Sequence, residues 1–311
     1  MRVLGLDTSN YTTSVALADE NGFRQARRIL AVEKGACGLR QSNALFLHTV
    51  NLPELMHSLA PMGKIDAVAY SAYPRDVEGS YMPCFLAGVS AAETAAAVLN
   101  VPLYRFSHQA GHLMAAVKTC GDMTIAKREF LAFHVSGGTT ELLRVRPDDE
   151  IGFAAEIVGR TLDISAGQLI DRVGVMLGLS FPCGGELEKL AAAGERAPKP
   201  HICVRGADCN LSGAENTASK LLADGVAPSS VARFALDFAG ETILAMSRAA
   251  REVYPDLPIV YAGGVMRNAY IKSRLAESLA DVRFADVELS SDNAVGIAYL
   301  GLERLGREGS V

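Results

Sequence analysis

The chain has 311 residues, of which 49% are hydrophobic and 21% charged, as is typical of a soluble globular protein. This length predicts one large or two medium domains, with enough core to fold without disulfides. The net charge of −5 argues against strong nucleic-acid binding by this chain alone. No apolar run approaches the length of a membrane span.

The cysteines and the first residues of the chain bear on its compartment. Six cysteines are scattered without a CxxC pair, which is typical of reduced thiols in the cytosol. Met1 leads directly into the strand-like run VLGLD, without the charged and apolar regions of a secretion signal. We therefore expect a cytoplasmic protein that is not attached to a membrane.

Short apolar runs and longer helical patterns alternate in the first 125 residues. Apolar and β-branched runs bounded by turn residues indicate strands, whereas apolar residues three and four apart indicate helices. Pro53 falls inside one helical pattern and is expected to kink or split that helix. The predicted strands cover 2–7, 12–18, 23–31, 65–71 and 101–106, and the predicted helices cover 42–60 and 81–99.

The same alternation continues in the second part of the chain. Asp163 is expected to cap the helix that follows it, with Ser165 close behind. The polar segment 196–211 is predicted to be irregular. The predicted strands cover 129–135, 139–145, 151–158, 258–261 and 282–287, and the predicted helices cover 164–178, 185–193, 228–254, 267–280 and 292–306.

The chain contains an internal repeat. The segment VLGLDTSNYTTSVAL from Val3 aligns with FLAFHVSGGTTELLR from Phe130, which places Ser9 on Ser136. Each segment is an apolar strand, a polar turn and a second strand that begins with two threonines. Two such halves predict an α/β fold of the actin/Hsp70/sugar-kinase type, duplicated as two lobes with a nucleotide in the interdomain cleft. Unrelated α/β modules that share strand–turn–strand openings are the alternative explanation.

The repeat also suggests where the lobes divide. We assign the first lobe to residues 1–125 and the second to residues 126–311. The first lobe then carries the two histidines described next, and the second carries most of the glycine-rich turns. The closing helix at 292–306 could pack back on the first lobe.

Two histidines follow the last predicted strand of the first lobe. His108 and His112 are four residues apart, so on a helix they share one face and can reach one divalent ion. The spacing alone is a weak signal, and two capping or solvated histidines are the alternative. Asp292 either caps the last helix or supplies an oxygen ligand. A carboxylate with two histidines is a common catalytic metal set.

Glycine-rich turns in the second lobe are candidates for nucleotide binding. Ser136-Gly137-Gly138 lies between two strands, where successive N–H groups can bind an anion or simply close a hairpin. Gly263-Gly264 follows a buried strand, at the edge where open α/β sheets bind ligands. Asn268, a few residues later, can hydrogen-bond the edge of a base.

Two acidic residues extend this candidate site. Asp171 can hold ribose hydroxyls if it faces the cleft, or it can pair with Arg172 or Lys189 in solvent. Gly184 precedes a helix whose N-terminus suits an anion or a polar ring edge. Glu188 lies on the first turn of that helix.

These segments together resemble the TsaD/Gcp family, the tRNA adenosine threonylcarbamoyltransferases formerly called O-sialoglycoprotein endopeptidases. Each segment alone is a modest match, but their order and spacing are specific. The resemblance runs from Val3 to about Ala298. It rests on GLDTSNYTTSVAL, HQAGH, VSGGTTEL, LDISAGQLIDRVGVMLGLSFPCGG, AGGVMRN and SDNAVGIA.

The resemblance implies transfer of a threonylcarbamoyl group from its adenylate to the tRNA adenosine next to the anticodon, with release of AMP. It implies one divalent metal ion, iron or zinc, held by His108, His112 and Asp292. It also implies TsaB-like and TsaE-like companion subunits, which use ATP and make the adenylate, and a homo- or heterodimer. No catalytic side chain is assigned, although Ser9 is a candidate.

The resemblance also implies which residues bind ATP, AMP or threonylcarbamoyl-adenylate. They belong to the loop after the second lobe's first strand, to two helices and to the segment that follows Gly263 and Gly264. The implied residues are His134, Val135, Ser136, Gly137, Gly138, Asp171, Gly184, Glu188 and Asn268.

The chain departs from the family pattern at several positions. Tyr11-Thr12 replaces an acidic pair, and Ala72-Tyr73-Pro74-Arg75 replaces a Gly-Pro-Gly loop. Ala110 replaces an acidic residue between the histidines, Thr139 replaces a histidine and Ile164 replaces an aspartate. A diverged paralogue with another carbamoyl acceptor or with ATPase activity is therefore an alternative. A non-catalytic partner subunit is less favoured, as is a metalloprotease, because the motif lacks the glutamate of HExxH.

Overall fold

The computed structural model describes residues 1–9, 11–31, 39–195, 200–286, 289 and 293–309. They form two compact units. Unit 1 comprises 1–128, 146–155 and the described residues of 288–311, and unit 2 comprises 129–145 and the described residues of 156–287. The lobe division expected between residues 125 and 126 stays a prediction.

Unit 1 is built on a five-stranded mixed sheet with β1 (Arg2–Asp7) at its centre. β1 pairs antiparallel with β2 (Thr12–Asp19), and Asp7 lies opposite Ser14. The remaining strands are β3 (Gly22–Ile29), β4 (Ala67–Tyr73) and β5 (Leu103–Ser107), and the sheet order is β3-β2-β1-β4-β5. β4 runs parallel to β1, and β5 runs parallel to β4.

Helices cover both faces of this sheet. Leu4 and Leu6 of β1 pack with the helices on one face, whereas Gly5 points to the other face and meets the last helix. Burial on both faces explains why β1 reads as a nearly continuous apolar run. The helices of unit 1 are α1 (Gln41–Ser58), α2 (Leu86–Leu99), α3 (His108–Thr119) and α9 (Val295–Glu308), with short 3-10 turns at Pro83–Phe85 and Met123–Lys127.

Unit 2 repeats this topology. Its sheet order is β12-β11-β6-β7-β8, so an antiparallel hairpin is again followed by two parallel strands. Val135 lies opposite Thr140 at the hairpin, as Asp7 lies opposite Ser14 in unit 1. The duplicated α/β fold predicted from the sequence is thus confirmed. The strands are β6 (Phe130–Val135), β7 (Thr140–Asp148), β8 (Gly152–Arg160), β11 (Ile259–Ala262) and β12 (Val282–Phe284).

The core of unit 2 lies around one long helix and a ladder of aromatic rings. Tyr261 stacks on Phe133 and on Phe284, with ring centroids 5.3 and 5.2 Å apart. The 26-residue helix α7 (Pro228–Val253) supplies much of the buried apolar surface. The other helices are α4 (Ala166–Met176), α5 (Gly184–Ala192), α6 (Gly213–Ala223) and α8 (Ala269–Ser278), with a 3-10 turn at Gly264–Arg267.

Two predictions for residues 196–223 were wrong or incomplete. The described part of the supposedly irregular segment contains a small hairpin of β9 (Cys203–Arg205) and β10 (Asp208–Asn210). Helix α6 was not predicted at all. Ala214 and Ala218 are the buried residues of α6, and such small residues add little to the apolar pattern that Leu221 and Leu222 continue.

The sequence suggested that Asp163 caps α4, and this prediction was wrong. Ser165 is the N-cap, in a capping box with Gln168. Asp163 instead accepts hydrogen bonds from the backbone N–H groups of Leu211 and Ser212, at 2.8 and 3.1 Å. Partial burial raises the pKa of Asp163, but these hydrogen bonds outweigh that effect and lower the pKa to about 2. The carboxylate therefore ties the start of α4 to the segment before α6.

Pro53 neither ends nor divides α1, which is assigned without interruption from Gln41 to Ser58. Proline lacks the N–H that would bond the carbonyl of Thr49. Both residues lie on the exposed side of the helix, where water can bond that carbonyl. Within the described ranges, no helix combines the length and the apolar character that crossing a membrane would require.

The contact between α3 and α9 is made by glycines. A Cβ added at Gly296 would collide with the backbone carbonyl of Gly111, and a Cβ at Gly111 would lie 2.8 Å from the Ile297 side chain. On the sheet side, a Cβ at Gly5 would lie 2.7 Å from the Ala294 carbonyl. These glycines let α3, α9 and β1 pack backbone to backbone.

We expect Gly296→Ala to lower the free energy of unfolding by about 2–3 kcal/mol, because overpacking against a backbone that cannot yield costs about 1–3 kcal/mol. Urea denaturation followed by circular dichroism measures this change. Gly306→Ala in the same helix is the control, since its new Cβ would have Met1 Cε at 3.7 Å as nearest described neighbour. The control should be unchanged or about 1 kcal/mol more stable. Equal stability of the two variants would contradict the close packing.

Candidate functional site

The two predicted metal-binding histidines converge on one face of α3. His108 is the first residue of the helix, and His112 lies one turn later. Their Nε2 atoms are 2.9 Å apart, and the rings meet edge to face with centroids 4.3 Å apart. The structure therefore brings the two imidazoles together, and their binding of a metal ion stays a prediction.

A buried carboxylate that the sequence analysis missed supports this pair. Asp7 is 1% exposed at the end of β1, and its Oδ2 lies 2.7 Å from Nδ1 of His108. Its Oδ1 accepts the backbone N–H of Ser9 at 2.8 Å. The signal was present, because Asp7 is the one charged residue in the run VLGLD, at a strand end that faces a polar turn.

The Asp7 contact determines what the His108 ring can offer. When Nδ1–H donates to Asp7, Nε2 of His108 carries a lone pair directed toward His112. A carboxylate behind a ligating histidine fixes the ring and raises its basicity. Ser9 Oγ is 3.4 Å from the same Nε2, so the candidate catalytic serine lies beside the pair.

The histidine pair fits a divalent metal ion. Two nitrogens that are each about 2.1 Å from one ion lie roughly 3.0–3.4 Å apart at octahedral or tetrahedral angles, close to the distance found here. The third predicted ligand, Asp292, lies outside the described residues. The described residues alone contain no group of three His, Cys, Asp or Glu side chains that could hold a metal.

A cavity of about 440 Å³ lies in unit 2, at the ends of α4 and α5 and beside the 3-10 turn after β11. This volume is within the range of small-molecule sites, about 300–1,000 Å³. Phe181 and Arg267, which the sequence analysis did not select, also line the cavity. The predicted nucleotide residues that line it are Gly137, Asp171, Gly184, Glu188, Gly264 and Asn268.

The polar residues of this cavity are held by the backbone. Asp171 Oδ1 accepts the N–H of Cys183 at 2.8 Å, which fixes the turn before α5. Glu188 Oε1 accepts the N–H of Ala269 at 2.7 Å. Asn268 is the N-cap of α8, and its Oδ1 accepts the N–H of Ile271. Each of these side chains keeps a second polar atom with which a ligand could bond.

An ion pair between Asp171 and Arg172 was one alternative expected from the sequence, but Arg172 has another partner. Arg172 pairs with Glu215 at 3.0 Å instead. Residues 171 and 172 lie about 100° apart around a helix, so one can line the cavity while the other points toward α6. Asp171 lines the cavity, and its contact with a ligand stays a prediction.

The other predicted nucleotide residues lie near the cavity without lining it. His134 and Val135 end β6, and Ser136 Oγ accepts the N–H groups of Gly138 and Thr139 at 3.3 and 3.1 Å. Gly138 lines a separate cavity of about 340 Å³. Gly263 has a φ of +103°, and a Cβ there would collide with the Val135 carbonyl. Its role in the fold is thus close packing against β6.

Comparison with solved structures shows that the chain has the actin/Hsp70-like fold. Full-length HypF in its phosphate- and nucleotide-bound form matches 99% of this chain and 46% of its own length, with a TM-score of 0.62 and 13% identity. HypF from T. kodakarensis matches 99% and 48%, with a TM-score of 0.63 and 13% identity. This chain therefore spans about half the length of the HypF structures.

A third structure is similar in length to this chain. Component A of (R)-2-hydroxyglutaryl-CoA dehydratase from Acidaminococcus fermentans matches 98% of this chain and 99% of its own length, with a TM-score of 0.55 and 14% identity. At these identities the likeness shows the fold alone.

A sequence comparison identifies the family. The model of the TsaD family, described as tRNA N6-adenosine threonylcarbamoyltransferase, matches residues 48–299. The matched range is well over half of the chain and includes both histidines and every residue that lines the unit 2 cavity. The chain belongs to the TsaD family of transferases.

Proposed function

We propose that this protein transfers a threonylcarbamoyl group from its adenylate to the tRNA adenosine next to the anticodon. Membership of the TsaD family supports a carbamoyl transferase, and the tRNA acceptor is the part that we add. The observation that carries the proposal is the convergence of the Nε2 atoms of His108 and His112, with the Asp7 carboxylate behind them.

His108 and His112 would hold one divalent ion, iron or zinc, with Asp292 as the third ligand. The ion would act as a Lewis acid on the carbonyl oxygen of the carbamoyl group. Asp7 holds the His108 ring so that its Nε2 lone pair points away from β1. Ser9, whose Oγ is 3.4 Å from the same nitrogen, would hydrogen-bond the acyl group. The chain's own contribution is therefore orientation of the ligands and of the acyl group.

The cavity of unit 2 would bind the nucleotide part of the adenylate, and AMP after the transfer. Gly137, Gly184 and Gly264 leave open space, since a Cβ added at each meets no described atom within 4 Å. Asp171 and Glu188 carry carboxylate oxygens that suit ribose hydroxyls. A purine nucleotide has polar edges and a flat apolar ring, and this lining offers both kinds of contact.

We propose that partner proteins take part in the reaction, in the cytoplasm. TsaB-like and TsaE-like subunits would accompany the chain, in a homo- or heterodimer, and use ATP. A chain with a net charge of −5 binds nucleic acid poorly by itself, so basic partner surfaces would contribute to tRNA binding. Cys183, Cys203 and Cys209 are thiols rather than disulfides, which is consistent with a reducing compartment.

A second candidate is a paralogue that transfers the carbamoyl group to another acceptor or hydrolyses ATP. The observation that favours it is the environment of α3. Ala110, between the histidines, is 1% exposed, so an acidic side chain at this position would have to be buried. The acidic group of the family pattern is thus absent from the histidine turn.

We expect purified protein to contain about one iron or zinc ion per chain, and His108→Ala to reduce this content at least tenfold, because one imidazole and the Asp7 contact are lost. Mass spectrometric metal analysis measures the content. His57→Ala is the matched control, since His57 is an exposed histidine near the end of α1. Wild-type protein without metal would refute the proposed centre.

Gly264→Leu should weaken AMP or ATP binding at least tenfold, because the new side chain would occupy the cavity without touching the described protein. Isothermal titration calorimetry measures the affinity, and the unfolding midpoint should stay unchanged. Gly213→Leu is the control, at an exposed glycine that starts α6 and also faces open space. If both variants bind nucleotide as wild type does, the nucleotide lies elsewhere.

The two candidate functions differ in the acceptor. With threonylcarbamoyl-adenylate and companion subunits supplied, wild-type protein should form threonylcarbamoyladenosine in tRNA, and His108→Ala should form less than about 1% as much. Mass spectrometry of digested tRNA detects the product. Binding of metal and nucleotide without any tRNA product would reject the first candidate in favour of the second.

A further inference from the structure

The N-terminus of α3, the helix that carries the two histidines, is capped by a fully buried serine. Ser107 is the N-cap of α3, and its Oγ accepts the backbone N–H of Ala110 at 3.1 Å. His108 follows as the first helical residue. The position of the His108 ring therefore depends on how firmly this first turn is capped.

Asp76 holds the cap in the orientation that it needs. Ser107 Oγ–H donates to Oδ2 of Asp76 at 2.5 Å. A hydroxyl has one hydrogen, so donation to Asp76 leaves its lone pairs available for the N–H of Ala110. A carboxylate next to a helix N-terminus is also favoured by the helix dipole. Asp76 thus acts on α3 through Ser107.

The segment that carries Asp76 also forms a backbone hydrogen bond with the first turn of α3. The backbone N–H of Gln109 donates to the carbonyl of Pro74 at 3.0 Å. The N–H groups of Gln109 and Ala110 are two of the donors that a first helical turn leaves without intrahelical partners. Both are satisfied by groups that residues 74–76 supply or orient.

Tyr73 lies beside Asp76, and the Arg105 guanidinium lies 5.2 Å from the centre of the Tyr73 ring. Partial burial and the neighbouring Asp76 carboxylate raise the pKa of Tyr73, so near neutral pH the phenol keeps its proton. An uncharged phenol does not repel the Asp76 carboxylate, which accepts the hydrogen bond of the Ser107 hydroxyl.

We propose that Asp76 is a positioning residue for the histidine pair, acting through the hydroxyl of Ser107. The proposal rests on the metal centre of the proposed function. With the cap in place, the His108 ring meets Asp7 at 2.7 Å and His112 at 2.9 Å. Without the cap, the first turn of α3 can fray, and the distance between the two Nε2 atoms is no longer fixed for a metal ion.

The test is a double-mutant cycle with zinc affinity as the readout. Asp76→Ala should weaken Zn²⁺ binding about tenfold or more, as loss of an outer-shell partner of a metal ligand typically does. Ser107→Ala should have a similar effect, and the double variant should be little worse than either single variant, since both act through one hydrogen bond. Asp76→Asn, which keeps an acceptor without the charge, should be intermediate.

Glu54→Ala is the matched control. Glu54 is an exposed carboxylate of unit 1 that pairs with Arg28 at 2.7 Å, so its loss removes a charge and an ion pair away from α3. Zinc affinity of Glu54→Ala should equal that of wild type. Zinc affinity of Asp76→Ala within twofold of this control would overturn the proposal, even if the metal centre itself is present.

Hydrogen exchange of the metal-free protein separates this proposal from the metal centre. In Asp76→Ala, the amides of 109–112 should exchange at least fivefold faster, whereas those of 115–118, in the second half of α3, should be unchanged. Wild-type protein that binds no zinc would refute the metal centre, and exchange would then decide whether Asp76 orders the histidine turn. Unchanged exchange at 109–112 would overturn the role of Asp76.

Discussion

The histidine site depends on how closely α3 can approach its neighbours. Gly111 and Gly296 meet where α3 packs on α9, and Gly5 lets β1 approach α9 in the same way. Because no side chains separate these backbones, α3 lies close enough to β1 for the His108 ring to reach Asp7 at 2.7 Å. A side chain at either helix position would push α3 outward and lengthen that contact. Backbone packing therefore fixes the histidine pair before any ligand binds.

Glycines in unit 2 serve two opposite purposes. At Gly167 and Gly263 a Cβ would collide with the backbone of the Ser136 loop or of β6, so these glycines permit close packing. At Gly184 and Gly264 a Cβ would meet no described atom, so these glycines leave the cavity open. The first pair brings the elements together, and the second pair preserves the space between them. A rigid, open pocket requires both.

The hairpin repeat and the histidine pair were predictable because their patterns are local. Strand periodicity up to Ser9 and Ser136, and the spacing of four residues in α3, each lie within a few residues of sequence. The Asp7–His108 contact joins residues 101 apart, and such a contact leaves no local pattern. Helix α6 was missed for a different reason, since it buries mainly small residues. The Asp7–His108 contact and helix α6 both depend on tertiary packing, which a local sequence pattern does not reveal.

The departures from the family pattern in unit 1 are built into its hydrogen bonds and its core. Pro74, in the segment expected to replace a glycine-rich loop, accepts the N–H of Gln109, and Asp76 bonds the Ser107 cap of the histidine helix. Ala110 is buried in α3, and its N–H bonds that cap. Buried polar groups of folded proteins are generally paired, and the Ser107 hydroxyl and the Ala110 N–H in the histidine turn follow this rule. Residues 74–76 therefore support the histidine turn, and the acyl acceptor that they admit is the point on which the two candidate functions differ.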